Sequence, residues 1–173
     1  DPPEKILALG NSGFFLYVGV LEEHKGIREL LEGFSRNDER LVIVGKGSME
    51  GWLKGEIEHR KLSSRITLAG WKDSVWPYLA AADALVVPSI GPENYPMVAL
   101  EALSVGTPVV CSDVGGTKEI AEMVGPGLVI PFGGLVEGIA KIAKPSLDRE
   151  RVRAVFRSNF TKELYIPKYL ELA

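Results

Sequence analysis

Six short apolar runs without regular polar alternation constrain the fold of this chain more than any other feature. They are rich in Val, Ile and Leu, and each has the length of a single strand. Strands that are apolar on both sides are typical of a parallel sheet covered by helices on both faces. The runs occupy residues 14–18, 41–44, 66–69, 84–87, 108–111 and 127–130.

Segments with helical spacing separate these runs. Ile27, Leu30, Leu31 and Phe34 follow an i, i+3, i+4, i+7 stripe, and residues 98–105 predict a more apolar helix. Strands and helices that alternate in this way form right-handed crossovers. The sequence therefore predicts an α/β fold with a doubly wound, Rossmann-like parallel sheet of about six strands and helices on both faces.

The length of 173 residues predicts one domain. Pro2 and Pro3 indicate an extended linker over residues 1–12, and residues 147–173 predict a helical tail at the periphery. The chain starts without methionine or a charged leader, so we expect a piece of a longer protein. In such a sheet the ligand crevice lies at the carboxyl ends of the strands.

Composition argues against several classes of partner. Lys and Arg number 20 against 23 Asp and Glu, for a formal net charge of -3, and the charges are interspersed. Nucleic acid is therefore not an expected partner. No apolar run approaches the roughly 20 residues of a membrane helix. The single cysteine, Cys111, lies in an apolar run, which predicts a buried thiol in a reducing cytoplasm.

A helix after the fourth run carries two carboxylates. Asn94 is predicted to cap it, with Pro96 in the first turn, so that its N-terminus faces the crevice and suits a phosphate. Glu101 lies among apolar neighbours in this helix, where it either binds two ligand hydroxyls or forms an internal ion pair or N–H contact. Glu93 lies eight positions earlier, beside the N-terminus of the same helix. A second carboxylate there favours ligand binding as the role of Glu101.

Other loops leave alternatives open. Lys25, after the first strand, is either a phosphate ligand or an exposed lysine. Gly45 and Gly47 form a turn that either admits a ligand to the backbone or is purely structural. Residues 114–119 offer N–H groups to an anion or form an ordinary loop. The sequence holds no Asp-x-Asp pair for a metal-bound diphosphate and no Gly-x-Ser-x-Gly elbow.

Taken in order, these motifs resemble family 4 retaining glycosyltransferases, and specifically the C-terminal, sugar-nucleotide-binding domain of a GT-B fold enzyme. The Glu, seven residues, Glu spacing is the most specific of them. The motifs that carry the resemblance lie at residues 15–19, 24–26, 41–47, 66–71, 80–84, 88–89, 93–102, 106–110 and 113–119.

The resemblance implies catalytic roles for Glu93, on the hydroxyls of the donor sugar, and for Lys25, on the diphosphate. It implies that Glu101 holds the ribose. It also implies that such enzymes need no metal or other cofactor, and that the donor is a UDP-, GDP- or ADP-sugar. The remaining predicted substrate-binding residues are Gly19, Gly45, Gly47, Trp71, Lys72, Asn94, Tyr95, Pro96, Met97 and Val98; Trp71 and Lys72 belong to the region that faces the base.

One position departs from the family. The family has an arginine directly after the glycine that ends the first strand, and this chain has Val20. Lys46 or Lys118 would then compensate, or the chain is a non-catalytic nucleotide-sugar-binding module. A sugar-nucleotide epimerase of the same fold is a further alternative.

The resemblance also implies a missing N-terminal domain. That domain would hold a sugar or lipid-linked acceptor and could bring the protein to the inner membrane surface. The isolated domain is then expected to be inactive.

Overall fold

The computed structural model describes residues 13–91, 93–94, 96–161 and 163. The predicted linker at 1–12, the predicted site residue Tyr95 and the end of the predicted tail lie outside the described residues.

Six parallel strands form one sheet in the order β3-β2-β1-β4-β5-β6. From β1 the chain adds β2 and β3 on one side, and it then returns to add β4, β5 and β6 on the other side. This is the doubly wound arrangement. This confirms the predicted fold class, with boundaries within about two residues of the apolar runs. The strands are β1 (Phe15–Val18), β2 (Leu41–Val44), β3 (Ile66–Gly70), β4 (Ala84–Val87), β5 (Val109–Ser112) and β6 (Val129–Ile130).

Helices connect the strands and cover the sheet. They are α1 (Ile27–Ser35), α2 (Glu50–His59), α3 (Trp76–Ala81), α4 (Met97–Ser104), α5 (Gly116–Val124), α6 (Leu135–Ala140) and α7 (Arg149–Asn159). Right-handed crossovers place α1 and α2 on one face and α4 and α5 on the other. After β6 the chain returns, since α6 packs on α1 and α7 packs on α4.

The core lies between the sheet and these helices. Phe15, Leu16, Leu41 and Ile43 are fully buried, because strands covered on both faces expose neither side of the pleat. The predicted stripe on α1 is buried as well, with Leu30 fully inaccessible.

Helix α7 packs at the periphery, on the face of the sheet that α4 and α5 cover. Arg149 at its start donates hydrogen bonds to the Ala82 carbonyl (2.6 Å) and to Thr107 Oγ1 (3.1 Å). Gly106 leaves the room for this approach, since a side chain there would meet the Arg149 backbone.

The predicted N-cap of α4 is wrong. The helix begins at Met97, and Pro96 precedes it in an extended conformation with φ −66° and ψ 121°. The N-cap residue is Pro96, whose side chain makes no capping hydrogen bond. Proline fixes its own φ and disfavours helical geometry in the residue before it, so the predicted helix start between Asn94 and Pro96 is disfavoured.

Cys111 is buried in β5, as predicted. Burial, with the negative charge of Asp113 as a smaller cause, raises the pKa of its thiol to about 12. Within the described residues, no helix has both the length and the apolar character needed to cross a bilayer.

Candidate functional site

A cavity of about 220 Å³ opens at the carboxyl ends of β1 and β4. This is the edge at which open α/β sheets bind ligands. Five of the predicted site residues border it: Gly19, Lys25, Glu93, Pro96 and Val98. The rest of the lining is Tyr17, Val18, Val20, Val86, Val87 and Ser89.

Glu93 is the acidic centre of this cavity. Its Oε1 accepts hydrogen bonds from Lys25 Nζ and from Ser89 Oγ, the latter at 2.6 Å. The Glu93 side chain is 10% exposed and that of Lys25 is 24% exposed, so the ion pair is largely desolvated. Both bonds go to the same oxygen. Oε2 is therefore left without a donor among the described residues and can accept a hydroxyl from a ligand.

The loop after β5 holds the Glu93 backbone in place. Gly116 N donates to the Glu93 carbonyl at 2.9 Å. Gly115 precedes it at φ 63°, and a Cβ at that position would collide with the same carbonyl. Ser112 Oγ, at the end of β5, donates to the Ser89 carbonyl at 2.5 Å. The predicted anion loop at 114–119 therefore uses the N–H group of Gly116 on the protein itself.

Lys25 reaches Glu93 because the loop after β1 is hydrogen-bonded to the loop after β4. Lys25 ends a short 3₁₀ turn, Glu23–Lys25, and Gly26 follows at φ 71° against the Pro88 carbonyl, where a side chain would collide. The His24 carbonyl accepts from the N–H groups of Ile90 and Gly91, both at 3.0 Å. His24 thus contributes its backbone to the site and not its exposed side chain.

Tyr17 is a site residue that the sequence analysis missed. It is 3% exposed in β1, and its hydroxyl donates to the Val20 carbonyl at 2.8 Å. Burial and, second, the Glu93 carboxylate raise the pKa of Tyr17, so its phenol stays protonated and keeps donating. A tyrosine in an apolar run is typical of the core, so nothing in the sequence distinguished Tyr17 as a site residue. Ser89, by contrast, is a polar residue two positions after the end of β4, and the sequence alone could have marked it as a candidate.

Gly45 and Gly47 are packed against the chain's own backbone. A Cβ on Gly45 would collide with the Gly19 carbonyl, and one on Gly47 would meet the backbone of Leu21. The Glu22 carboxylate also accepts from Ser48 N (2.9 Å) and Ser48 Oγ (2.6 Å), which lowers the pKa of Glu22. The close backbone approach explains why both positions require glycine. The predicted contact of Gly45 and Gly47 with substrate stays a prediction.

Glu101 lies in α4 beyond the cavity lining and is half-buried. Its carboxylate has no hydrogen-bond or ion-pair partner within the part of the chain that the structure describes. The alternative of an internal ion pair therefore finds no support there, and the carboxylate is accessible to a ligand. Met97, at the helix start, is 67% exposed. Asn94 does not border the cavity either.

Trp71 and Lys72 follow β3, two strands from β1. Trp71 is 62% exposed, and the Lys46 Nζ lies 5.2 Å from its ring centroid. Lys118, the other cation expected to compensate for the missing arginine, pairs with Asp113 at 2.8 Å.

Val20 borders the cavity with 49% of its surface exposed. Among the described residues that line the cavity, Lys25 is the only cation. The Val20 carbonyl accepts the hydrogen bond of the Tyr17 hydroxyl.

A larger cleft of about 590 Å³ lies beside the start of β6 and contains none of the predicted site residues. Among the described residues, no three His, Cys, Asp or Glu side chains are grouped as metal ligands would be.

Comparison with known proteins gives a family match. The profile of the family described as glycosyl transferases group 1 matches residues 3–162. The chain is 29% identical over 158 residues to an Escherichia coli enzyme named UDP-Gal:alpha-D-GlcNAc-diphosphoundecaprenol alpha-1,3-galactosyltransferase, covering 86% of this chain and 41% of that protein.

Solved structures agree on the fold. The apo form of the lipopolysaccharide outer core galactosyltransferase WaaB superposes with a TM-score of 0.79 at 23% identity, over 92% of this chain and 48% of that one. Anabaena Alr3699/HepE in complex with UDP-glucose gives a TM-score of 0.77 at 21% identity, over 98% of this chain and 51% of that one. The chain thus spans about half the length of these proteins.

Proposed function

This chain belongs to the glycosyl transferases group 1 family, and on that premise we propose that it is the donor-binding domain of a retaining, metal-independent hexosyltransferase. It binds a nucleotide diphosphate sugar, and the whole protein passes the sugar to an acceptor. The family and the Rossmann-like fold support the GT-B resemblance drawn from the sequence.

The observation that carries the proposal is the Lys25–Glu93 pair in the crevice. Glu93 keeps Oε2 available for a hydroxyl of the donor sugar, while Lys25 places a positive charge beside it. A diphosphate that leaves during transfer gains negative charge, and a fixed cation stabilises that charge in the transition state. The pair therefore supplies an acceptor for the sugar and a cation for the leaving group within one cavity.

Helix α4 adds the second source of positive potential. Its first N–H groups, at Met97 and Val98, point out of the helix N-terminus beside the cavity rim. Together with Lys25 they offset the charge of a diphosphate without a metal ion. Glu101, one turn further along α4, binds the ribose hydroxyls with a carboxylate that has no partner among the described residues.

The named relatives support a nucleotide-sugar donor. The Escherichia coli relative is named for UDP-Gal, and the Anabaena neighbour was solved with UDP-glucose. By analogy we propose a cytoplasmic protein that acts on a sugar or a lipid-linked acceptor, held by a domain outside this chain.

Calorimetric titration of the chain with UDP-, GDP- and ADP-sugars tests the proposal. We expect saturable binding, weakened about tenfold or more by Glu101→Ala, because each lost hydrogen bond to a charged group costs about 1.5–3 kcal/mol. Glu122→Ala is a matched control, since it removes an exposed glutamate from the neighbouring helix α5, outside the predicted anion loop. If the wild-type chain binds no nucleotide sugar at millimolar concentration, the proposal fails for this chain.

Val20 favours a second candidate, a nucleotide-sugar-binding module without catalysis. The exposed valine leaves the cavity rim without the cation that the family places there. Val20→Arg separates the two candidates. A gain of more than tenfold in affinity for nucleoside diphosphates indicates a degenerate site, whereas unchanged affinity indicates that another cation already serves the diphosphate.

A further inference from the structure

Strand β3 is an open edge of the sheet. The sheet ends at β3 on one side and at β6 on the other. Strand β6 is only two residues long, whereas β3 spans five residues, Ile66–Gly70, that include neither a charged residue nor a proline. Natural edge strands are usually kept short or protected by charged side chains, because their unpaired N–H and C=O groups bind a further strand. Strand β3 lacks both of these protections.

The hydrogen-bond pattern of β3 leaves backbone groups facing outward. Leu41 N donates to the Arg65 carbonyl at 2.9 Å, and in a parallel pair every second residue bonds to the same neighbour. Thr67 therefore bonds to β2, while the carbonyl of Ile66 and both backbone groups of Leu68 face away from it. The register shift in the β2–β3 pair falls at its carboxyl end, beyond these residues. Thr67 and Leu68 are half-buried, so this edge is accessible.

Helix α2 places two opposite charges beside the same edge. Lys54 and Glu58 border a cavity of about 230 Å³ together with Ile57, Ile66 and Leu68. Both charged side chains are exposed, and neither forms an ion pair with a residue that the structure describes. A lysine four residues before a glutamate is the less favourable order for pairing along one helix. The two charges are therefore available to a partner that presents them in the reverse order.

The exposed side of α2 also lacks side chains at two positions. Gly51 and Gly55 lie three positions before Lys54 and Glu58, so all four residues share one face. No described atom lies within 4 Å of the place where a Cβ would be on either glycine, so packing within the chain gives no reason for them. Glycine is a poor helix former compared with alanine. A second helix that approaches this face closely would explain both glycines.

A second copy of this chain fits these features together. An antiparallel β3–β3 pair about a two-fold axis at Thr67 places Ile66 opposite Leu68 of the second copy, so that each Leu68 N–H reaches an Ile66 carbonyl. The same axis reverses α2, so Lys54 of each copy faces Glu58 of the other. Helix α2 connects β2 to β3, so the two α2 helices lie two strand spacings apart. At about 4.8 Å per spacing this is about 10 Å, the distance between packed helices.

We propose that the face formed by β3 and α2 is a homodimer interface, in which two six-stranded sheets join edge to edge about a two-fold axis. This inference does not rest on the proposed function. The donor cavity lies at the carboxyl ends of β1 and β4, away from β3, so the interface leaves it open. Because the two β3 strands run antiparallel, the two cavities open at opposite ends of the joined sheet.

Charge reversal tests the interface without changing the core. Analytical ultracentrifugation of the wild-type chain should show a monomer–dimer equilibrium. Lys54→Glu and Glu58→Lys should each weaken dimerisation about tenfold or more, because each brings like charges together at two symmetric contacts. Lys54→Glu combined with Glu58→Lys should restore the dimer, and a mixture of the two single variants should form a mixed dimer. Lys141→Glu is the matched control, since Lys141 is an exposed lysine at the β6 edge.

Thr67→Lys tests the strand pairing separately, because it places two ammonium groups opposite each other on the axis and should leave the chain monomeric. Circular dichroism checks that each variant is folded. The interface is overturned if the wild type stays monomeric at millimolar concentration, if either single reversal dimerises like the wild type, or if the combined reversal fails to restore the dimer. A dimer that survives Thr67→Lys overturns the edge-to-edge arrangement.

Discussion

Tyr17 joins the core to the rim of the cavity through one hydroxyl. Tyr17→Phe removes the bond to the Val20 carbonyl and should lower the free energy of unfolding by about 0.5–1.5 kcal/mol. The raised pKa of Tyr17 means that, above pH 10, the unfolded chain loses this proton before the folded chain does, so wild-type stability falls as pH rises. The variant lacks this contribution. Urea unfolding at pH 8 and pH 11 should show a smaller pH-dependent loss in the variant, and equal losses would contradict the role of the buried phenol.

Cys111 should be unreactive while the chain is folded. The thiolate is the reactive form, and a pKa of about 12 leaves very little of it at pH 8. A chromogenic thiol reagent should therefore react slowly with the native chain and quickly in denaturant, with one thiol per chain in the second case. Rapid reaction of the native chain would show that β5 opens or that the thiol is accessible.

At the scale of elements, the loop before α5 sets the position of Glu93. Gly115→Ala adds a Cβ that collides with the Glu93 carbonyl and also strains a backbone at φ 63°. Gly127→Ala is the control, because Gly127 has φ 79° but open space at its Cβ. Both variants should lose about 1–2 kcal/mol through backbone strain. Only Gly115→Ala should also weaken nucleotide-sugar binding, measured by calorimetry. Equal binding by the two variants would mean that this loop does not position Glu93.

Helix α7 is held to the body of the chain by Arg149. Arg149→Met keeps most of the side-chain length and removes the hydrogen bonds to the Ala82 carbonyl and Thr107 Oγ1. We expect a loss of about 1.5–3 kcal/mol, because these bonds come from a charged donor at a partly buried site. Arg157→Met on the same helix removes an exposed contact with Glu150 and should cost clearly less, because solvent screens an exposed ion pair. Chemical denaturation of both variants checks the difference, and equal losses would indicate that Arg149 anchors nothing.

The sequence predicted elements better than it predicted contacts. Runs such as 41–44 are apolar on both sides, and that pattern is enough to place β2 inside a parallel sheet. The approach of Lys25 to Glu93 depends on residues 68 positions apart in the chain. The residues around each side chain give no sign of the other. The resemblance implied only that both contact the same donor, so their pairing was not predicted. Tyr17 went unnoticed because its apolar neighbours give the same pattern whether or not its hydroxyl is used.

At the scale of the whole molecule, the carboxyl edge of the sheet exposes apolar side chains after several strands. Val20, Trp71, Met97 and Phe132 are each about half exposed or more, and they follow β1, β3, β4 and β6 respectively. Large apolar side chains gathered at one edge are typical of a surface that meets a ligand or another domain. The chain spans about half the length of its relatives, which is consistent with a cleft whose second wall lies outside it.

This arrangement predicts that the chain alone binds the donor but does not turn it over. Transfer requires that donor and acceptor be held together, and the described residues supply one wall of the proposed cleft. The chain alone should bind a nucleotide sugar and yet release no nucleoside diphosphate above the rate of the donor in buffer, measured by a coupled assay. Calorimetric binding by the same preparation is the control that the site has formed. Saturable release that Glu93→Gln abolishes would show instead that this chain carries a complete hydrolytic site, and would favour a hydrolase or epimerase over a transferase that depends on a second domain.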